Sequence, residues 1–194
     1  MNSKGYLYII LLFLYSCTAS RNFVADKKYP ISDLKKDYTI FRGALEEGHP
    51  GLYWFTPKDS MDKYFDEGFN SLKDSMTERQ FRTSLMKVVA DIKCGHTAVG
   101  FSKRYMRYLD TANLKLFPLA FKVWKDTLAV TGNLNRKDSI FTRGTVVTAI
   151  NNYSSKFLID TFFHYLNGDG NSITGKYQTL STFGTFGVMY KNCL

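Results

Sequence analysis

The residues whose types could do chemistry meet in Asp91-Ile92-Lys93-Cys94-Gly95-His96-Thr97. The chain holds three histidines and three cysteines, and Cys94 and His96 stand two positions apart. A cysteine nucleophile is disfavoured here, because an amphipathic helix runs into this stretch and a thiolate is destabilised at the negative end of a helix. A zinc site from Cys94, His96 and Cys193 lacks any usual ligand spacing, so no metal is expected. The remaining chemistry is general-base catalysis by His96. A serine hydroxyl is a weak nucleophile until a base within hydrogen-bond reach takes its proton. The plainer role is that His96 hydrogen-bonds the last carbonyls of the helix. Gly95 reads as the glycine that ends this helix in a left-handed turn, which makes His96 the first residue outside it.

Three helices must position that turn. The first starts at Ser32 as N-cap and repeats Leu34, Tyr38, Phe41 and Leu45 on one face. Gly48 and Pro50 stop it, and His49-Pro50-Gly51 reads as a turn. The second takes Thr56 as N-cap and Pro57 as first residue, with Met61, Tyr64, Phe65, Phe69 and Leu72 as its stripe. The third opens on Thr77-Glu78-Arg79-Gln80, a capping box, with Met76 and Phe81 as a hydrophobic staple. Phe81, Leu85, Val88, Val89 and Ile92 form its buried face, and full burial is expected of Phe81 and Val89.

Beyond His96 the pattern turns β-rich. Thr97 to Phe101 reads as a strand, and residues 102 to 113 carry no clear pattern. Leu116 to Trp124 and Thr127 to Thr131 form a hairpin around Lys125-Asp126. A strand over Thr145 to Ile150 enters through Gly144 and leaves through Asn151-Asn152. Lys156 to Leu166 reads as a helix burying Phe157, Leu158, Phe162, Tyr165 and Leu166. A last helical run is capped by Ser172 and continues to Leu180. The oxygen-rich loop Asn167-Gly168-Asp169-Gly170-Asn171 lacks the glycine and glutamate positions of a calcium-binding loop, so a calcium site is rejected.

With 194 residues and 44% hydrophobic content the chain is globular in composition. Its net charge of +9 is scattered. No nucleic-acid-binding module accompanies that charge, so a solvated basic surface is expected rather than a nucleic-acid partner. No cofactor is expected. Residues 1–17 read as a signal peptide with Lys4 as its charge and Tyr6 to Tyr15 as its apolar core. Leu14-Tyr15-Ser16-Cys17 resembles a bacterial lipobox, which makes Cys17 a lipidation site. Residues 18–30 then form a polar tether.

Three stretches resemble the secreted serine peptidases related to C-terminal-processing proteases and the tricorn core protease, in their Bacteroidetes-type form. They are Ala44-Leu45-Glu46-Glu47-Gly48-His49-Pro50-Gly51-Leu52-Tyr53, Ile92-Lys93-Cys94-Gly95-His96-Thr97, and Arg143-Gly144-Thr145-Val146-Val147-Thr148-Ala149-Ile150-Asn151. The resemblance implies an α+β chain with a three-helix domain at 31–97 and a PDZ-like domain at 98–190. It also implies a later catalytic domain carrying the serine, which nothing after Gly144 resembles. His96 matches the general base of tricorn-like members, whereas members with a Ser-Lys dyad need no such histidine. The expected function is the N-terminal part of an exported serine-type peptidase, acting on peptide or unfolded protein with a separate catalytic domain. The expected location is periplasmic or outer-membrane-associated, through the lipid anchor. The alternative is a non-catalytic peptide-binding lipoprotein.

The lipobox generates a direct prediction. Mass spectrometry of the exported protein finds an N-terminal Cys17 carrying two or three acyl chains. An unmodified N-terminus at another residue overturns the reading.

Overall fold

The computed structural model describes residues 23–194. The expected signal segment, Cys17 and the first tether residues lie outside the described residues. The described chain is mixed α+β, with seven helices and small antiparallel sheets. No helix among the described residues is long and apolar enough to cross a membrane.

The first half is helical. α1 spans Ile31–Gly48, α2 Lys58–Asn70 and α3 Glu78–Ile92. Their stripes close on one another around Leu34, Tyr38, Met61, Phe65, Leu85, Val88, Val89 and Ile92. Each such side chain contributes about 1.5–3 kcal/mol on full burial. The tightest approach is at Gly68 on α2. A Cβ there would stand 2.7 Å from Val88 Cγ2 and closer still to the Tyr38 hydroxyl. Glycine is required because α2 carries both Tyr38 of α1 and Val88 of α3 against its backbone. The Tyr38 hydroxyl donates to Phe65 O at 2.8 Å inside this core, and burial pushes its ionisation far up. On the outer side Arg42 of α1 reaches Asp62 and Asp66 of α2 at 3.1 and 2.9 Å, with its guanidinium over the Phe65 ring.

Helix starts differ from expectation at two places. α1 begins at Ile31 behind Pro30, so Ser32 lies in its first turn and caps nothing. α2 begins at Lys58 with Pro57 as the capping position. The Thr56 hydroxyl instead donates to Asp91 O near the end of α3, at 2.5 Å. The start of α3 is as expected. Thr77 Oγ1 accepts from the Gln80 amide, and Gln80 Oε1 accepts from the Thr77 amide at 2.9 Å. Val89 is buried, but Phe81 is only half-buried at the edge of the core. The tether also ends earlier than expected. β1 (Lys28–Tyr29) pairs antiparallel with β2 (Met76–Thr77) just ahead of α3.

The second half is built on β3 (Leu119–Trp124), β4 (Thr127–Asn133) and β5 (Val146–Val147), ordered β3-β4-β5 and antiparallel throughout. Lys125, with φ 50°, makes the β3–β4 turn. The expected single strand over 145 to 150 is broken. β6 (Ala149–Ile150) leaves the main sheet and pairs with β7 (Tyr153–Ser154). Asn151 and Asn152, both with positive φ, close that hairpin as a type I′-like turn. Three helices cover the sheet: α5 (Ser155–Phe163), α6 (Thr174–Ser181) and α7 (Thr185–Cys193). Phe121, Val123, Leu128, Leu158, Phe162, Leu180 and Phe186 are the centre of this second core. Met86 of α3 packs against it and joins the two halves.

Several expectations fail here for identifiable reasons. Residues 97 to 101 form no strand, because no neighbouring strand offers a ladder; Val99 O accepts from the Arg82 side chain instead. Residues 102 to 113 contain a helix, α4 (Lys103–Thr111), capped by Ser102. Ser172 caps nothing, since α6 starts at Thr174 behind Ile173. Phe157 is exposed and stacks on Tyr153. Helix α7 was not anticipated at all.

The reciprocal cap at α3 gives a stability prediction. Thr77→Ala lowers unfolding stability by about 0.5–2 kcal/mol in urea denaturation followed by circular dichroism. A change within about 0.3 kcal/mol would show that the capping box carries no weight.

Candidate functional site

The turn after α3 is held from two sides, by the 167–171 loop and by His49. Its left-handed residue is Lys93, with φ 60° and ψ 38°, rather than Gly95. Gly95 is needed for space. The Asp169 carboxylate accepts from the Gly95 amide at 2.7 Å, and a Cβ on Gly95 would stand 2.8 Å from Asp169 Oδ1. The same loop makes further bonds. The Gly170 amide donates to Lys93 O at 2.9 Å, Lys93 Nζ donates to Asn171 Oδ1 at 2.8 Å, and Asn167 Nδ2 donates to Thr97 O. Two of the loop oxygens that suggested calcium, Asp169 Oδ1 and Asn171 Oδ1, accept from protein donors. Among the described residues no group of three or more His, Cys, Asp or Glu side chains gathers to hold a metal ion.

The second support is His49. Its Nδ1 accepts from the Gly51 amide at 3.2 Å. A backbone N–H can only donate, so Nε2 carries the ring proton and donates to Thr97 Oγ1 at 2.7 Å. The His49-Pro50-Gly51 turn after α1 is therefore tied to the turn after α3. Pro50 makes this local geometry, since the residue before a proline is driven out of the helical region. His49 has φ −93° and ψ 106°.

Between these supports the His96 side chain is exposed. It makes no hydrogen bond to the helix carbonyls; the turn is closed by Thr97 N donating to Cys94 O at 3.2 Å. Cys94 packs at the edge of the helical core as a free thiol. Cys193 is also free, and burial pushes its thiol up to about 12, so it is inert at neutral pH. The two serines closest in sequence have other partners. Ser84 Oγ donates to Gln80 O at 3.3 Å within α3. Ser102 caps α4, accepting from the Tyr105 amide at 3.2 Å while donating to Glu78 Oε2 at 3.0 Å. Neither is placed to give its proton to His96.

A separate cleft of about 450 Å³ opens on another side of α3, lined by Tyr64, Asp74, Lys87, Asp91 and Tyr165. Burial holds the Asp91 carboxyl above the usual carboxylate range, and Lys87 and His164 partly oppose that. Lys176 is pushed down by burial while donating to Phe163 O at 2.8 Å. His96 does not line this cleft. Sequence reasoning placed His96 and its loop, but it missed His49 as a support and Asp169 as the partner of Gly95. Only the Pro50 after His49 signalled a fixed turn; nothing local linked residue 169 to residue 95.

The His49–Thr97 contact is measurable. In a double-mutant cycle of His49→Ala and Thr97→Val, thermal unfolding gives a coupling of about 0.5–1.5 kcal/mol. Additive losses within about 0.3 kcal/mol would show that the two side chains do not bond.

Comparison with known proteins adds no relative to this geometry: no family model, no curated protein and no solved structure matches the chain.

Proposed function

We propose that this chain is the helical and PDZ-like part of an exported serine-type peptidase, with His96 as general base for a serine supplied from outside residues 23–194. The observation that carries the reading is the held turn. Lys93, Gly95 and Thr97 are each bonded to the 167–171 loop, Thr97 also to His49, and the imidazole between them is left exposed. Catalytic groups need fixed backbones and free side chains. In the proposed reaction His96 takes the serine proton as the hydroxyl oxygen attacks the scissile carbonyl. It then returns that proton to the leaving amine. The substrate is peptide or unfolded protein. Acylated Cys17 would keep the protein in the periplasm or at the outer membrane.

The β3-β4-β5 sheet with its covering helices is the candidate PDZ-like module. The rival reading is peptide capture alone, by adding a strand to this sheet. The β3 edge weighs against it, because the Val123 amide donates to Ser181 Oγ at 2.9 Å. Only the two-residue β5 offers the other edge.

A fluorophosphonate probe and casein cleavage test the proposal. The purified chain alone shows neither labelling nor cleavage. Mixing it with the serine-bearing domain of a peptidase of that family produces both, and His96→Ala lowers the gain by at least about a hundredfold. Labelling of a serine within this chain, or full gain with His96→Ala, overturns it.

A further inference from the structure

An apolar groove of about 430 Å³ runs between α4 and α7, over the segment that leads into β3. Leu114, Leu116, Phe117, Phe183 and Val188 line it. Leu116 and Phe183 are each 70% exposed and Val188 55%, so this apolar surface is left facing solvent. Isolated exposed apolar residues are ordinary, but a contiguous patch with a polar rim marks an interaction surface. The rim is of one sign. Arg79, Lys115 and Lys191 line the groove and no Asp or Glu does. None of the three is in an ion pair among the described residues. Lys103, Arg104 and Arg107 are exposed on the adjoining α4.

The course of the chain supplies a second, independent observation. The Phe23 ring packs against Tyr105 and Tyr108 of α4, at 5.6 Å between centroids in both cases. Tyr105 also lines the groove. Phe23, the first described residue, is therefore fixed beside this basic, apolar face. Cys17 precedes Phe23 by six residues, a reach of at most roughly 20 Å for an extended chain. A bilayer holding an acyl group at Cys17 would lie within reach of the groove.

We infer that this groove and its basic rim form a surface that docks the protein onto an anionic lipid bilayer. The exposed Leu116, Phe183 and Val188 enter the headgroup boundary, while Lys115, Lys191 and Arg79 meet lipid phosphates. Apolar insertion and cationic attraction together give binding that neither gives alone. The groove and its basic rim stand on residues 23–194 and need no peptidase activity, while the choice of a bilayer as occupant rests in part on the proposed acylation of Cys17.

The test uses a chain beginning at residue 18, which lacks Cys17 and therefore reads the surface apart from any anchor. Both apolar cores lie within residues 29 to 193, so this chain keeps them. It is sedimented with phosphatidylglycerol vesicles and with phosphatidylcholine vesicles. The expected result is partition onto the anionic vesicles only, falling as salt rises. Lys115→Glu with Lys191→Glu, and separately Leu116→Asp with Phe183→Asp, each lower the partition coefficient by about tenfold or more. Lys36→Glu with Lys122→Glu, an equal charge change elsewhere, lowers it by less than about threefold. All positions changed are exposed, and circular dichroism checks that the variants fold. Absence of vesicle binding overturns the inference. So does an equal loss with the Lys36 and Lys122 pair, or no loss with the Leu116 and Phe183 pair. Capture of an acidic amphipathic helix by this groove without vesicle binding also overturns it, in favour of a protein partner.

Discussion

The bond between the Asp169 carboxylate and the Gly95 amide is the centre of the hydrogen-bonded joint between the two halves. It joins residues 74 positions apart. Around it the loop 167–171 reads the backbone of residues 93 to 97 through main-chain and side-chain bonds. The last carbonyls of a helix lack partners within the helix, and the helical half satisfies one of them through the Thr56 hydroxyl on Asp91 O. The second half adds the Gly170 amide on Lys93 O, just past that end. Met86, on the same helix, packs into the second core at the other end of the joint. α3 is therefore shared property: its stripe closes the first core, and its C-terminus is organised by the second.

Two kinds of support differ in physical character. The helical core is held by close packing, with Gly68 admitting Tyr38 and Val88 to the α2 backbone. Such packing tolerates no added volume, and its cost is felt in rigid neighbours. The turn bearing His96 is held by hydrogen bonds to partly exposed groups, which are individually modest. Five of them, falling on Lys93, Gly95 and Thr97, fix the turn where one would not, and they do so without covering the imidazole.

Much of this was legible in the sequence where the information is local. The Thr77–Gln80 box, the apolar stripes of the first three helices and the hairpin around Lys125 rest on neighbours within a few positions, and the structure has them. Gly95 was misread because glycine has two uses, and only a distant carboxylate reveals that space rather than a left-handed angle is needed here. Thr97 to Phe101 has strand-like composition, yet a strand requires a partner that sequence does not display. Thr56 has the type and position of an N-cap, but a tertiary acceptor at Asp91 took its hydroxyl. α7 is punctuated by Gly184 and Gly187, which disguise it as loop. Gly187 sits where a Cβ would meet Phe117, so its smallness serves packing. The candidate base was visible as a residue type. Its supports, His49 and Asp169, were brought to it only by the fold.

The Ser181 hydroxyl bonded to the Val123 amide has a consequence for how this protein behaves in a crowded compartment. β3 and β4 make a hairpin rich in Val, Leu, Phe and Trp, with Trp124 exposed at its tip. Such a hairpin with a bare edge is a template on which other copies can stack, and the growing stack is an aggregate. Helix α6 lies along that edge and Ser181 occupies one of its amides, so self-association through β3 first requires α6 to detach. Leu180, fully buried beside Ser181, resists that detachment. Helix α6 thus acts as a guard against misassembly, and a chain whose synthesis stopped before α6 would present the hairpin unguarded.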